Sequence, residues 1–456
     1  MEIIQSIIGF FIAIGILVTF HEFGHFIVAR FFNVTVLNFS IGFGKSIYSK
    51  KFPGETTEYS IGAIPLGGYV KMLESQEMDD LDKNDPNFAA EYCFDKQSVY
   101  RRFLIVAAGP IFNLILALFF FILVHLSGIS GMKPLIESID GISENVLSYQ
   151  DNALITKVNN IDTKRWQDVR VETLNGIVRG DQQLKITILK SDGVTQNIEV
   201  PIEQSVLKKK GDIIKNIGFV PSKPDFGTTL GSVQSNSPAS LAGLQAGDKI
   251  LAINGQDVSK WSDYVNIVQK NPNNILRLEV DRNQKLFDII LVPSEMKINN
   301  KLVGFAGVSP SQGALEKYRI NVKYPLIESI HKSVDLTIDY TLLTFKMIFK
   351  LFSGQANVAN ISGPLSIAEF SGKSLAMGYV YFIYLMAVLS ISLGVLNLLP
   401  IPMLDGGHLV YYTVEMIIGK PVSMRIQLIG QQLGIVVLLS IMVLAFYNDF
   451  LRIFSG

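Results

Sequence analysis

Cysteine is all but missing: Cys93 stands alone among 456 residues. A single thiol excludes an internal disulfide and a zinc site built on cysteine thiolates, and says little about the compartment. Net charge is missing too, with 40 Lys and Arg against 40 Asp and Glu, so bulk electrostatics offers no case for nucleic acid as a partner. Charged residues make up only 18% of the chain, beside 48% hydrophobic residues and a mean hydropathy of +0.33. That balance is too apolar for an ordinary soluble enzyme, and the apolar excess is clustered. The N-terminus lacks the basic region and small-residue cleavage site of a removed signal peptide. The first apolar run is therefore expected to stay as a membrane span.

Four apolar runs approach the roughly 20 residues that crossing a bilayer takes. They cover 3–29, 103–126, 379–399 and 433–446, the last extended on either side. Basic residues crowd the stretch between the first two, from Arg30 through Lys50 and Lys51 to Arg101 and Arg102. Lys420 and Arg425 lie between the last two, while the tail has only Arg452. The positive-inside rule then puts 30–102 and 401–430 in the cytoplasm. Both termini, and the stretch from about 128 to 378, are expected outside.

That outer stretch repeats itself. "VNNIDTKRW" (158–166) and "INGQDVSKW" (253–261) align at a spacing of 95, and the only tryptophans, Trp166 and Trp261, coincide. "SPASLAGLQAGDKILAINGQDV" (237–258) resembles a circularly permuted bacterial PDZ domain, and the first copy is a degenerate version without the Ala-Gly-Leu helix start. The resemblance implies two PDZ domains, at 128–222 and 223–309. Such domains offer a strand edge and a backbone nest to an extended peptide. The nests are expected at Gly218-Phe219 and at Gly304-Phe305, the second being the substrate-binding candidate. Two packed spacer domains are the plainer alternative.

Within the first apolar run, "TFHEFGHFIVAR" (19–30) sets His21, Glu22 and His25 where ionisable groups are costly. Four residues is about 40° around a helix, so both imidazoles project from one face. Glu22 adjoins the first imidazole and can act as a general base without ligating. This is the zincin pattern of two nitrogen ligands and a catalytic carboxylate. A catalytic zinc needs a third protein ligand and leaves a position for water. The elongated soluble motif is missing, since Val28 and Phe31 hold the places its Gly and His would take. "LGVLNLLPIPMLDGGHLV" (393–410) offers Asp405 and, three residues on, His408. Chemistry alone leaves the two as rivals.

"HEFGH", "NLLPIPMLDGG" and "SVYRRFLIVAAGPIFN" (98–113) together resemble the site-2 protease family of intramembrane metalloproteases, and the tandem PDZ insert resembles its regulator of sigma-E protease branch. The likeness covers nearly the whole chain. It implies that zinc is held by His21, His25 and Asp405, with Glu22 as the base. It implies that Asn397 contacts substrate near the reacting carbonyl, with Pro400 and Pro402 of the break that follows as further substrate-binding candidates, and that His125, His331 and His408 are bystanders. It further implies substrates that are single-span membrane proteins: an anti-sigma factor already trimmed by a site-1 protease, or remnant signal peptides. The setting it implies is the envelope stress response at a bacterial inner membrane.

The expected architecture is a polytopic α-helical membrane protein: spans one and two with the zinc motif in 1–127, the PDZ pair, then spans three and four in 379–456. "NFSIGFGKSIYS" (38–49) and "TEYSIGAIPLGGYVKML" (57–73) are glycine-punctuated and β-rich. The family's membrane-associated β-hairpin sheet fits them, with Gly42 and Gly44 as substrate-binding candidates. A sheet edge would give backbone partners to a substrate helix drawn into extended form. Residues 76–95 read as an acidic connector. Within 310–378, residues 325–352 carry helical apolar periodicity with interspersed charges, which predicts an amphipathic helix on the outer membrane surface. No chemical role is assigned to "ANVANISGPLSIAEF" (356–370). Two other function classes stay open. One is a non-catalytic PDZ-bearing membrane scaffold; the other is an ion pathway using buried His and Glu, which the lack of an inverted repeat disfavours.

Overall fold

The computed structural model describes residues 2–80, 89–139, 153–209, 211–222, 226–298 and 301–454. Helix α1 (Glu2–Phe31) carries the first apolar run as one unbroken helix, about 45 Å long at the usual rise of about 1.5 Å per residue. Helix α2 (Val99–Ser127) carries the second run. Between them lie two long antiparallel strands, β1 (Val36–Lys51) and β2 (Glu58–Met72). Each bends on itself, so residues 38–41 pair with 58–61 on one side and with 68–71 on the other. The bends need glycine: Gly42 sits at φ +97° and its α-carbon lies so close to Gly62 that neither tolerates a side chain. The result is four short rungs, with 46–51 at one edge and 67–72 at the other.

The sequence repeat is a repeat of structure. In the first copy, strand 153–158 and short strand 161–162 lead to helix α3 (Trp166–Arg179) and strands 183–189 and 195–201. In the second, 249–253 and 256–257 lead to helix α4 (Trp261–Lys270) and strands 276–282 and 285–291. Both hairpins turn on two residues of positive φ, Asn159-Asn160 and Asn254-Gly255, as a type I′ turn requires. Each copy has its own core, with Ile155, Ile186 and Phe219 in the first and Ile250, Tyr264 and Leu278 in the second. The stretch 140–152, where the first copy's missing helix start falls, lies outside the described residues.

Helix α5 (Leu326–Phe352) matches the expected amphipathic segment, but it does more than lie on a surface. Leu336, Tyr340, Phe345 and Ile348 join the helix-bundle core, and Met347 packs on the core of the first copy. Helix α6 (Pro364–Met377) lies along α1, with Gly9 against Ser371 and Gly372 against Ser6. The span expected at 379–399 is helix α7 (Tyr379–Leu398); a short helix α8 (Asp405–Ile418) and the last span, helix α9 (Met424–Phe454), follow. The segment without an assigned chemical role docks this last helix. Asp449 is fully buried and accepts hydrogen bonds from the backbone N–H of Gly363 and Ser366, both at 3.0 Å, at the start of α6. Helices α1, α2, α7 and α9 are long and apolar enough to cross a membrane.

Candidate metal centre

His21 and His25 rise from one face of α1, as their spacing requires, and their rings meet edge to face with centroids 4.9 Å apart. Asp405 reaches them from the first residue of α8. It gets there because α7 stops at Leu398 and the chain reverses through Pro400 and Pro402, neither of which can continue a helix. Gly406 and Gly407 lie hard against the carbonyls of residues 398–401, leaving no room for side chains. The result is three donor atoms on one point: His21 Nε2 lies 3.1 Å from Asp405 Oδ2, His25 Nε2 lies 3.5 Å from it, and the two nitrogens are 3.3 Å apart. Among the described residues this is the one His/Cys/Asp/Glu group close enough to share a metal ion.

The spacing fits zinc. Bonds of about 2.0–2.1 Å in a tetrahedral site put ligand atoms about 3.3–3.4 Å apart. Hydrogen bonding sets the tautomer of His25 in the same sense. His25 Nδ1 donates to the Ile105 carbonyl at 2.9 Å, which leaves Nε2 of the neutral ring as a lone pair. His21 Nδ1 faces the Asn113 amide at 3.1 Å, and the other end of that amide, buried Oδ1, has no hydrogen-bond partner. Ligation through His21 Nε2 requires Nδ1–H, and hence the Asn113 oxygen turned toward the ring. Asp405 Oδ2 likewise lacks a hydrogen-bond partner, although it is shielded from solvent. Acceptors facing acceptors in a buried place fit a cation better than they fit one another.

A cavity of about 1000 Å³ opens on these donors, and Glu22, Asn397 and His408 line it. Asn397 Nδ2 is 3.4 Å from His21 Nε2, so it stands beside the donor cluster. His408 points into the cavity without joining the three donors, and burial holds its ring below the ordinary histidine pKa. His125 is buried against Ser333 Oγ at 2.8 Å, away from the cluster, and His331 is exposed.

Other candidates are placed differently. Pro400 and Pro402 shape the turn but do not line the cavity. Gly42 and Gly44 stay at the bend of β1, and it is Phe43 between them that reaches in. The strand along the cavity is 67–72, and the close fit of Gly68 to Glu22 explains its missing side chain. Glu77 and Phe94 of the acidic connector, and Glu74 just before it, also line the cavity. Gly304 is buried in the regular strand Lys301–Phe305, pressed on the Val268 carbonyl of α4; the positive φ nearby belongs to Gly307. Gly218, its counterpart, does have a positive φ, of +92°.

Sequence reasoning gave no role to Ile105, Gly109 and Asn113 of α2. A side chain at Gly109 would collide with both imidazoles. Asn113, the one polar residue between Arg102 and His125, was the available signal. A backbone carbonyl such as that of Ile105 leaves none.

Comparison with known proteins agrees with this geometry. A model of peptidase family M50 matches residues 9–441. The chain is 38% identical over 458 aligned positions to a protein named "Putative zinc metalloprotease" in Vibrio cholerae serotype O1, covering 99% of this chain and 100% of that one. It is 37% identical over 455 positions to the regulator of sigma E protease of Haemophilus influenzae, and 36% over 458 to the regulator of sigma-E protease RseP of Escherichia coli (strain K12). Coverage is again 99% of this chain and 100% of each relative. With four candidate spans, a convergent His-His-Asp group and full-length relatives of this kind, the chain belongs to peptidase family M50, the site-2 proteases, and is a zinc metalloprotease.

Proposed function

We propose that the protein is an intramembrane endopeptidase that cuts the membrane span of single-span proteins, with His21, His25 and Asp405 holding zinc and Glu22 as the base. The observation that carries this reading is the convergence of the three donors, with Glu22 beside them, in a cavity among apolar helices. When bound there, zinc supplies polarisation of the scissile carbonyl and a water of lowered pKa. Glu22 takes the proton of the attacking water on its carboxylate and returns it to the leaving amide nitrogen. Asn397, from the last turn of α7, donates its amide N–H to a substrate peptide carbonyl. The free edge of strand 67–72 supplies backbone partners to a substrate unwound into extended form. This moves the substrate edge from Gly42 and Gly44, where the sequence suggested it, to the neighbouring strand.

The relatives named as regulators of sigma-E protease support the choice of substrate. We take it to be an anti-sigma factor trimmed on the outside, with remnant signal peptides as a second group. The protein would then sit in the inner membrane with the repeat copies, read as PDZ domains, in the periplasm and the metal near the cytoplasmic side. The repeat copies would obstruct substrates that still carry a bulky outer domain. The test uses purified protein in vesicles with a spanning peptide. Glu22→Gln should lose cleavage by about a hundred- to ten-thousand-fold while keeping its zinc. Near-normal cleavage by this variant would remove Glu22 from the role of base.

A further inference from the structure

Helix α2 contributes no metal donor, yet one stripe of it touches the support of all three. Residues 102, 105, 109 and 113 fall within about 80° of one another around a helix, by the usual 100° per residue. Three of them serve the histidines: the Ile105 carbonyl orients His25, Asn113 faces His21, and Gly109 makes room for both rings. The fourth is Arg102. Its Nη2 lies 2.6 Å from Glu415 Oε1, and both side chains are mostly buried, at 16% and 15% exposure. Its guanidinium also lies over the Tyr412 ring, 5.0 Å from the centroid. Glu415 and Tyr412 belong to α8, the helix whose first residue is Asp405.

We propose that Arg102 is a positioning residue for the metal: through Glu415 it fixes α8 on α2, and so sets where Asp405 stands relative to the two histidines. The physical need is plain. α8 is short, its N-terminal end follows a loop broken by two prolines, and Asp405 lies ten residues, or about 15 Å, from Glu415 along the helix axis. Gly406 and Gly407 pin the near end by close packing. Without a second point of attachment, α8 could still pivot about that end. The Arg102–Glu415 pair supplies one on α2, the helix that braces both histidines of α1 through Ile105 and Asn113, so all three donors share one frame. The inference rests on Asp405 being a ligand, and it gives a use to four residues of "SVYRRFLIVAAGPIFN" that share one face.

Zinc retention tests it without reference to activity. Full-length protein in detergent would be mixed with a chromogenic chelator and zinc transfer followed, with cobalt-substituted samples read by their visible absorption. Arg102→Gln and Glu415→Gln should hold zinc about ten- to a hundredfold more weakly, the range for partners that orient metal ligands. Their cobalt spectra should depart from the tetrahedral form. Arg102→Lys keeps the charge but not the planar fork, and should fall between. The exchanged pair, Arg102→Glu with Glu415→Arg, should recover most of the loss. Arg282→Gln, which breaks an ion pair in the second copy, should change zinc retention not at all. Single variants that keep zinc as the wild type does would overturn the proposal, as would an exchanged pair that melts normally yet recovers nothing. Asp405→Ala separates the two layers. If it loses zinc while Arg102→Gln does not, this inference alone fails; if it keeps zinc, the ligand assignment fails and takes this inference with it.

Discussion

Asp405 in the membrane core and Asp248 in the second repeat copy are both withdrawn from water, and their surroundings differ in kind. Asp248 is fully buried and fully answered: Arg282 donates to it at 2.6 and 2.7 Å, and the Gln245 N–H at 2.8 Å. Asp405 faces two imidazole nitrogens, and its Oδ2 accepts no hydrogen bond. A buried carboxylate satisfied by its own domain holds structure together. One that meets other acceptors is built for something that arrives later. The same contrast separates the two repeat copies. In the first, Arg165 is buried and bound to Asp168 at 2.6 Å, and Gln167 donates to Tyr340, whose hydroxyl meets that of Tyr384 in α7 at 2.7 Å. Lys260, the counterpart of Arg165, is exposed. Among the described residues no comparable set ties the second copy to the helices. The copy that docks is the one whose sequence bears less resemblance to a PDZ domain.

Substituting each aspartate is the strongest way to break the first contrast. Asp405→Ala should strip both zinc and activity, whereas His408→Ala should spare the metal. Asp248→Ala should leave zinc in place and cost the second copy about 3 kcal/mol, near the low end for opening a buried ion pair because Arg282 is partly exposed. Metal analysis and urea unfolding would read the two. Loss of zinc from the Asp248 variant would mean that the copies and the core are not separate.

The role of the copies as a gate is next. Replacing 128–309 with a short linker should let untrimmed substrate be cut. A deletion variant that still refuses untrimmed substrate would remove the gate.

The docking contrast predicts a smaller effect. Arg165→Ala should destabilise the first copy by about 2 kcal/mol, because Asp168 loses its partner but is itself partly exposed, while Lys260→Ala should change stability by less than about 0.5 kcal/mol. The tryptophans report the copies separately, so Trp166→Phe leaves a fluorescence signal from the second copy alone. Equal effects of the two substitutions would erase the difference between docked and undocked copies.

The smallest effect is with pH. Burial opposes ionisation of Asp248, but the Arg282 guanidinium and the Gln245 N–H more than offset it, so its carboxyl lies below the usual range. A depressed acid contributes stability above its unfolded pKa, about 3.9. That contribution is lost as pH falls below about 4 and through the lower folded value. The second copy should lose stability against unfolding as pH falls through that window, and Asp248→Asn should flatten the dependence.

How much of this was legible in the sequence varies with the physics of each part. His21, Glu22 and His25 were, because a helix turns i and i+4 to one side whatever surrounds it. The repeat was, because a type I′ turn demands Asn or Gly and a helix start keeps its tryptophan. Asp405 was legible only through family likeness, since nothing local separates it from His408. Which strand lines the cavity was not legible: glycines mark where a chain bends, and it is residues 67–72 and Phe43, rather than Gly42 and Gly44, that line it. Helix α5 showed its amphipathic face but not its partners, because periodicity tells which side is apolar and not what covers it. The Arg102–Glu415 pair joins residues 313 positions apart, a distance over which no pattern carries.

X-ray absorption at the zinc edge of the purified protein tests the central claim most directly. Three donors from His21, His25 and Asp405 predict one zinc per chain in a shell of nitrogen and oxygen at about 2.0–2.1 Å, with the outer scattering of two imidazoles. A protein without zinc, a sulfur shell at about 2.3 Å, or a single imidazole would contradict it.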